Sequence, residues 1–134
     1  MTFRIKRVYE PPTATDGTRV LVDRLWPRGI RKADAKLDYW MKDVAPSPSL
    51  RQWFGHDPER FAEFRRRYGN ELRGLPALAQ LRKLGKSKVV TLLYGAHDPN
   101  INHAAVLLNA LRARIRAPAG SIRAPRRSRS EFTA

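Results

Sequence analysis

Val20-Leu21-Val22-Asp23-Arg24-Leu25-Trp26-Pro27-Arg28-Gly29 is the stretch whose reading decides the fold. A short apolar run of strand type passes without transition into an acid, two arginines, an indole and a Pro/Gly stop. A strand buried on both faces is apolar along its length. Charges at its carboxyl end therefore emerge outside the core. In open α/β sheets the crevice at the carboxyl ends of the strands is where ligands bind.

Upstream, Phe3-Arg4-Ile5-Lys6-Arg7-Val8-Tyr9 alternates as a strand and stops at Pro11-Pro12. Asp16-Gly17 is a turn signal, so Thr18 to Trp26 reads as the second strand. Downstream, Gly29 to Lys36 holds one helical turn, and Leu37 to Ala45, short and aromatic, reads as a strand. Ser47-Pro48 joins an N-cap to a first-turn proline and opens a helix through Phe54. Asp57-Pro58-Glu59 repeats that start signal, with an acid in the first turn. Phe61, Phe64, Tyr68 and Leu72 then recur at steps of three and four, an apolar stripe facing the core. Arg65, Arg66 and Arg67 lie largely off the stripe on a solvated face, with Glu63 and Glu71 placed for i,i+4 pairing with Arg67. Pro76 to Leu84 is a weaker helix, and Lys88 to Tyr94 is the clearest buried strand. Asp98-Pro99 or Asn100 caps a last helix that buries Ile101, Ala104, Ala105, Leu108 and Leu111.

Strands interleaved with helices predict an α/β domain, a small and mostly parallel sheet of about four strands with packed helices. One link resists. Only about nine residues join the first two strands, whereas a parallel crossover usually takes a dozen or more, so spacing alone pairs them antiparallel.

The 134 residues make one domain, long enough to bury a core. No run approaches the roughly 18 apolar residues that span a bilayer, and Met1-Thr2-Phe3-Arg4 lacks the apolar segment of a signal peptide. A cytoplasmic protein is the default expectation. The absence of cysteine excludes disulfides, thiolate nucleophiles and Cys-zinc sites. His56, His97 and His103 lack partner carboxylates at ligand spacing, so neither a metal nor another cofactor is expected.

The net charge of +15 is unevenly spread: from Arg112 onward seven arginines face the single acid Glu131, which gives +6 and leaves +9 for the rest. Residues 1–112 read as the folded domain and 113–134 as a basic tail, disordered by composition. Arginine outnumbers lysine twenty to seven, a usage that GC-rich coding favours, so arginine richness alone says little about nucleic acid. The tail reads first as a solvated extension without a role; the alternative is an arm that binds polyanions non-specifically, with an affinity that collapses in salt.

Ile5-Lys6-Arg7-Val8-Tyr9, then Leu21 through Gly29, Ala45-Pro46-Ser47, Trp53-Phe54-Gly55-His56-Asp57-Pro58, and Thr91-Leu92-Leu93-Tyr94 with Asn102-His103-Ala104 resemble, in order, the YeaO-like proteins. These form the domain-of-unknown-function family number 488. The resemblance covers about residues 3 to 112 and leaves the tail out. It implies a compact α/β domain and favours parallel pairing of the first strands despite their short link. Longer relatives carry a cysteine where Tyr94 stands and a Cys-His-Arg triplet where this chain has Asn102-His103-Ala104. Of that set His103 alone remains, so thiol or Cys-metal chemistry does not carry over.

With parallel strands, the carboxyl ends gather Arg7, Tyr9, Asp23, Arg24, Trp26, Arg28, His97 and Asp98, and the last helix adds Asn102 and His103. Arginine forks bind carboxylate or phosphate bidentately, and a helix N-terminus offers backbone donors to the same anion. Asp23 orients an arginine or serves as a base, and Trp26 stacks on a planar ligand. Bland readings stand beside these. Asp23 and Arg24 form an ion pair, Trp26-Pro27 is core plus loop stop, His103 is a satisfied helix histidine, and His56 hydrogen-bonds at a helix end.

Three classes of function remain open. The favoured one binds, or acts on, an anionic small molecule such as a nucleotide or phosphorylated metabolite in an arginine-rich crevice. The second is a nucleic-acid-binding accessory or regulatory protein, suggested by charge but lacking helix-turn-helix, zinc-finger or aromatic RNA-binding signatures. The third is an interaction module without chemistry. No membrane partner is expected.

Overall fold

The computed structural model describes residues 2–116. Its strands are β1 (Thr2–Arg7), β2 (Thr18–Leu21), β3 (Tyr39–Trp40) and β4 (Val89–Tyr94). All pair in parallel in the order β1-β4-β2-β3. The helices are α1 (Lys32–Ala35), α2 (Pro48–Phe54), α3 (Phe61–Leu72), α4 (Pro76–Leu84) and α5 (His103–Arg116). The predicted α/β class holds, with four parallel strands.

The two faces of the sheet differ. Phe3, Val20, Val22, Val90, Leu92 and Tyr94 point to one side, where Phe64, Tyr68, Leu72, Leu81, Leu107 and Leu111 from α3, α4 and α5 cover them. Leu21 and Leu93 point to the other, against Val8, Trp26, Ile30, Leu37 and Trp40, which loops and β3 supply. Covered on both faces, β4 is an unbroken apolar run apart from Thr91, whose hydroxyl donates to the Asp16 carbonyl at 2.7 Å.

The conflict over the first two strands disappears because they are not neighbours. β4 lies between them and pairs with both. Residues 8–17 therefore cross the face of the sheet without an α-helix, with only a 3-10 turn at Ala14–Asp16. At ~3.3 Å per residue they reach ~33 Å, enough to return the length of a six-residue strand and step over one strand. The crossing segment is tied down on both sides. Arg4 donates to the Thr15 carbonyl at 3.2 Å, Lys6 to the Pro11 carbonyl at 2.7 Å, and Arg19 to the Asp16 carboxylate at 2.5 Å. The charged alternates of β1 are thus fasteners rather than a solvated face.

Several boundaries differ from the sequence reading. The second strand ends at Leu21, not Trp26, because after the Val22 N–H reaches the Leu93 carbonyl the Asp23 side chain takes the Gly95 N–H. The strand expected over Leu37 to Ala45 shrinks to Tyr39–Trp40, followed by a 3-10 turn at Lys42–Val44. The cap of α5 is Asn102, whose Oδ1 accepts the Ala105 N–H at 2.8 Å, while Asp98 closes a turn onto Asn100 and Ile101 just before. Its buried face is Ala104, Val106, Leu107 and Leu111, with Ala105 and Leu108 half-buried. α5 runs to Arg116, into the stretch read as tail; the remainder of that basic segment lies outside the described residues. Among the described residues no helix is long and apolar enough to cross a membrane.

The expected Arg67–Glu71 pair is replaced by a tertiary cap. Glu71 accepts the Ser47 N–H at 2.8 Å and its hydroxyl at 2.6 Å, while Ser47 Oγ accepts the Leu50 N–H. Glu71→Ala is expected to lower stability by about 1 kcal/mol, the scale of a lost cap, measured by urea unfolding. Glu63 instead holds both Arg66 and Arg67 at 2.6 and 2.8 Å, and their hydrogen bonds lower its carboxyl to about 2.

Candidate functional site

At the carboxyl ends of β2 and β4 the chain leaves a cavity of about 590 Å³. Three walls form it: the loop after β2 (Asp23 to Arg28), the loop from β4 into α5 (Gly95 to His103), and the α2–α3 corner with Arg51, Phe54, His56, Pro58 and Phe64.

Asp23 joins the first two walls. Its Oδ2 accepts the Gly95 N–H at 2.9 Å, and its backbone carbonyl accepts the Trp40 indole N–H at 2.7 Å. His103 Nε2 lies 3.0 Å from the Val22 carbonyl and 3.1 Å from Asp23 Oδ1. A carbonyl only accepts, so Nε2 carries the proton and aims it at Val22. Asp23 Oδ1 is close but receives no hydrogen bond, and it is buried. The Tyr68 ring meets His103 edge-on, its hydroxyl donating to the Val44 carbonyl. Burial, helped by the charges of Glu71 and Asp23, pushes that phenol far up, so Tyr68 stays protonated and neutral.

Arg24 makes no ion pair with Asp23. Its Nε and Nη2 donate to the carbonyls of Pro46 and Ala45, each at 3.3 Å. Two neutral acceptors hold the guanidinium, and no carboxylate among the described residues pairs with it. Arg28 is exposed and lines the cavity; its carbonyl accepts the Tyr9 hydroxyl at 2.8 Å, which fixes the loop. Trp26 lines the cavity too, but its indole N–H donates to the Ile30 carbonyl at 2.7 Å and its ring meets Trp40 edge-on at 5.3 Å. Trp26 therefore packs against Trp40 while it also borders the cavity.

Asn102 borders the cavity, but its amide is committed to helix capping and to the Asp98 carbonyl at 2.7 Å. Arg7 does not line it. Its Nε donates to the Ala96 carbonyl at 2.8 Å, and its guanidinium lies 4.9 Å from the Tyr9 ring centre, behind the wall. Asp98 accepts the Asn100 and Ile101 N–H groups, which hold its carboxyl below the usual range.

The lining thus carries three arginines and three histidines against two carboxylates, both already accepting backbone N–H bonds. Sequence reasoning passed over Arg51 and set His56 aside as structural. Both arrive from a different wall, and no local pattern marks a helix residue as facing a cavity formed more than twenty residues away.

A family model described as the inactive DUF488-N3 subclade matches residues 2–129. The chain belongs to that subclade. The matched DUF488-N3 span runs past residue 112, where the resemblance was expected to end. Over 111 residues, 83 % of this chain and 94 % of each relative, it is 52 % identical to uncharacterized proteins of Mycobacterium tuberculosis strain H37Rv and of Mycobacterium bovis. Over 114 residues, 84 % of this chain and 99 % of the relative, it is 44 % identical to the uncharacterized protein YeaO of Escherichia coli K12. No solved structure matches this DUF488-N3 chain.

Proposed function

We propose that this protein binds an anionic small molecule, of the nucleotide or phosphorylated-metabolite class, in the cavity at the strand ends, and does so without catalysing a reaction on it. The observation that carries the reading is Arg24, held by the carbonyls of Ala45 and Pro46 and by no carboxylate among the described residues, in a lining it shares with Arg28 and Arg51. A pre-positioned, unneutralised guanidinium binds phosphate or carboxylate without first breaking an internal ion pair. The cavity also lies in the size range, about 300–1,000 Å³, of small-molecule sites. The subclade's description as inactive agrees with binding rather than turnover.

The test is isothermal titration of the full chain with pyrophosphate and with AMP, beside Arg24→Ala and Arg28→Ala. The tail is present in every variant, so its contribution cancels. Loss of a charge-assisted hydrogen bond is expected to weaken binding about tenfold or more, with the melting temperature kept. No heat with either probe, or equal affinity in all three proteins, overturns the reading.

A further inference from the structure

The cavity is larger than an isolated phosphate needs, and much of its lining is apolar: Leu25, Pro46, Phe54, Pro58, Phe64 and Ile101. Phe54 and Phe64 stack at 4.2 Å between ring centres and are almost wholly buried, so they form a floor. Three large apolar side chains stand exposed among the described residues, Tyr9, Leu25 and Tyr39, and two of them, Tyr9 and Leu25, border this cavity. Leu25 is 59 % exposed although the loop around it is pinned by the Tyr9 and Trp26 hydrogen bonds. Tyr9 and Leu25 thus carry the apolar lining of the cavity out to its mouth.

His56 supplies an independent observation. It follows Gly55, and both lie in the left-handed region, at φ 53° for Gly55 and 58° for His56. Glycine adopts that conformation freely; histidine does so at a cost. No hydrogen bond of the imidazole among the described residues repays it; its ring contact is with Phe54, at 6.0 Å between centres. Backbone strain of this kind persists mainly where a side chain is needed in one place, and this one is on the cavity lining.

From these features we infer that the site takes an anion carrying a flat ring: the arginines hold the anionic group, and His56 with Leu25 provides the seat of the ring. The inference rests on the anion-binding reading and adds the second half of the ligand. Imidazole planes stack on rings, and a leucine exposed in the free protein is covered when the ring enters.

Methyl phosphate and phenyl phosphate carry the same anionic group and differ in the ring. Titrated into the full chain, phenyl phosphate is expected to bind about tenfold tighter than methyl phosphate. His56→Asn keeps a residue that tolerates the left-handed backbone and removes the ring; Leu25→Ser removes the exposed apolar surface. Each variant is expected to shrink the ratio severalfold while leaving the melting temperature unchanged. Equal affinity of the parent for the two esters overturns the ring seat but leaves the anion reading standing. Binding of neither ester by the parent overturns both. A ratio preserved in both variants removes His56 and Leu25 from the seat and sinks the inference as stated.

Discussion

Asp16→Ala is expected to cost about 3–5 kcal/mol of folding stability, the range found when one member of a buried ion pair is removed. Asp16 is buried and receives Arg19 Nη1 at 2.5 Å and Lys6 Nζ at 3.0 Å, with the Thr13 backbone N–H and hydroxyl at 3.0 and 2.9 Å. The side chains of Arg19 and Lys6 are themselves only 6 % and 14 % exposed, so the alanine variant leaves two cations under the crossing segment with no countercharge. Arg19 keeps the carbonyls of Ala35 and Lys36. Lys6 keeps the Pro11 carbonyl, and neither set replaces an anion. Urea unfolding monitored by tryptophan fluorescence measures the loss. A change below about 1 kcal/mol would show that the cations escape to water instead.

The same carboxylate sets a pH dependence. Burial works to raise its pKa, but the Thr13 backbone, Lys6, the Thr13 hydroxyl and Arg19 overcome that and hold it well below the ordinary 3.8. Between the native value and 3.8 the unfolded chain binds the proton and the native chain does not. The stabilisation is complete above the ordinary value and drains away as pH falls beneath it. In Asp16→Asn, which cannot ionise, that share of the acid sensitivity is expected to vanish. The Glu63 share, from a carboxyl lowered to about 2, remains.

Gly17→Ala is expected to destabilise the fold by about 3 kcal/mol or more, through steric conflict added to left-handed strain. Gly17 has φ 65° and ψ −134°, and a Cβ there falls 2.3 Å from the Val89 carbonyl oxygen. That oxygen belongs to the first residue of β4, which is held by β1 on one side and β2 on the other, so the backbone cannot retreat. Gly29→Ala is the control: φ is 82°, but nothing lies within 4 Å of the added carbon. Only the conformational cost applies there, about 1–2 kcal/mol. Thermal melts of the two variants should separate accordingly. Equal losses would mean that the segment lifts away from β4 and the contact is soft.

Residues near in sequence carried much of the fold. The run at Val89–Tyr94 must be a doubly covered strand, and the Ser47-Pro48 and Asp57-Pro58 signals open helices where the structure has them. Pro76–Leu84 is a helix over the span its pattern indicates. These features depend on covalent geometry, capping and burial period, which operate over a few residues. The charges of Arg24 and Arg28 at a strand end likewise pointed to the crevice without any coordinates.

Other features required the assembled chain. The antiparallel expectation assumed that successive strands are adjacent, and the insertion of β4 between β1 and β2 removed that premise. Asp16 read as half of a turn dipeptide and Arg19 as a strand residue; they meet because residues 8–17 fold across the sheet. Arg7, on a strand end, lies behind the cavity wall, whereas Arg51 and His56, from a helix and its exit turn, line it. A strand's period tells which face a side chain takes, but only the order of strands and the seating of helices decide which walls confront one another. Those depend on contacts between residues dozens of positions apart, and such contacts leave no local pattern.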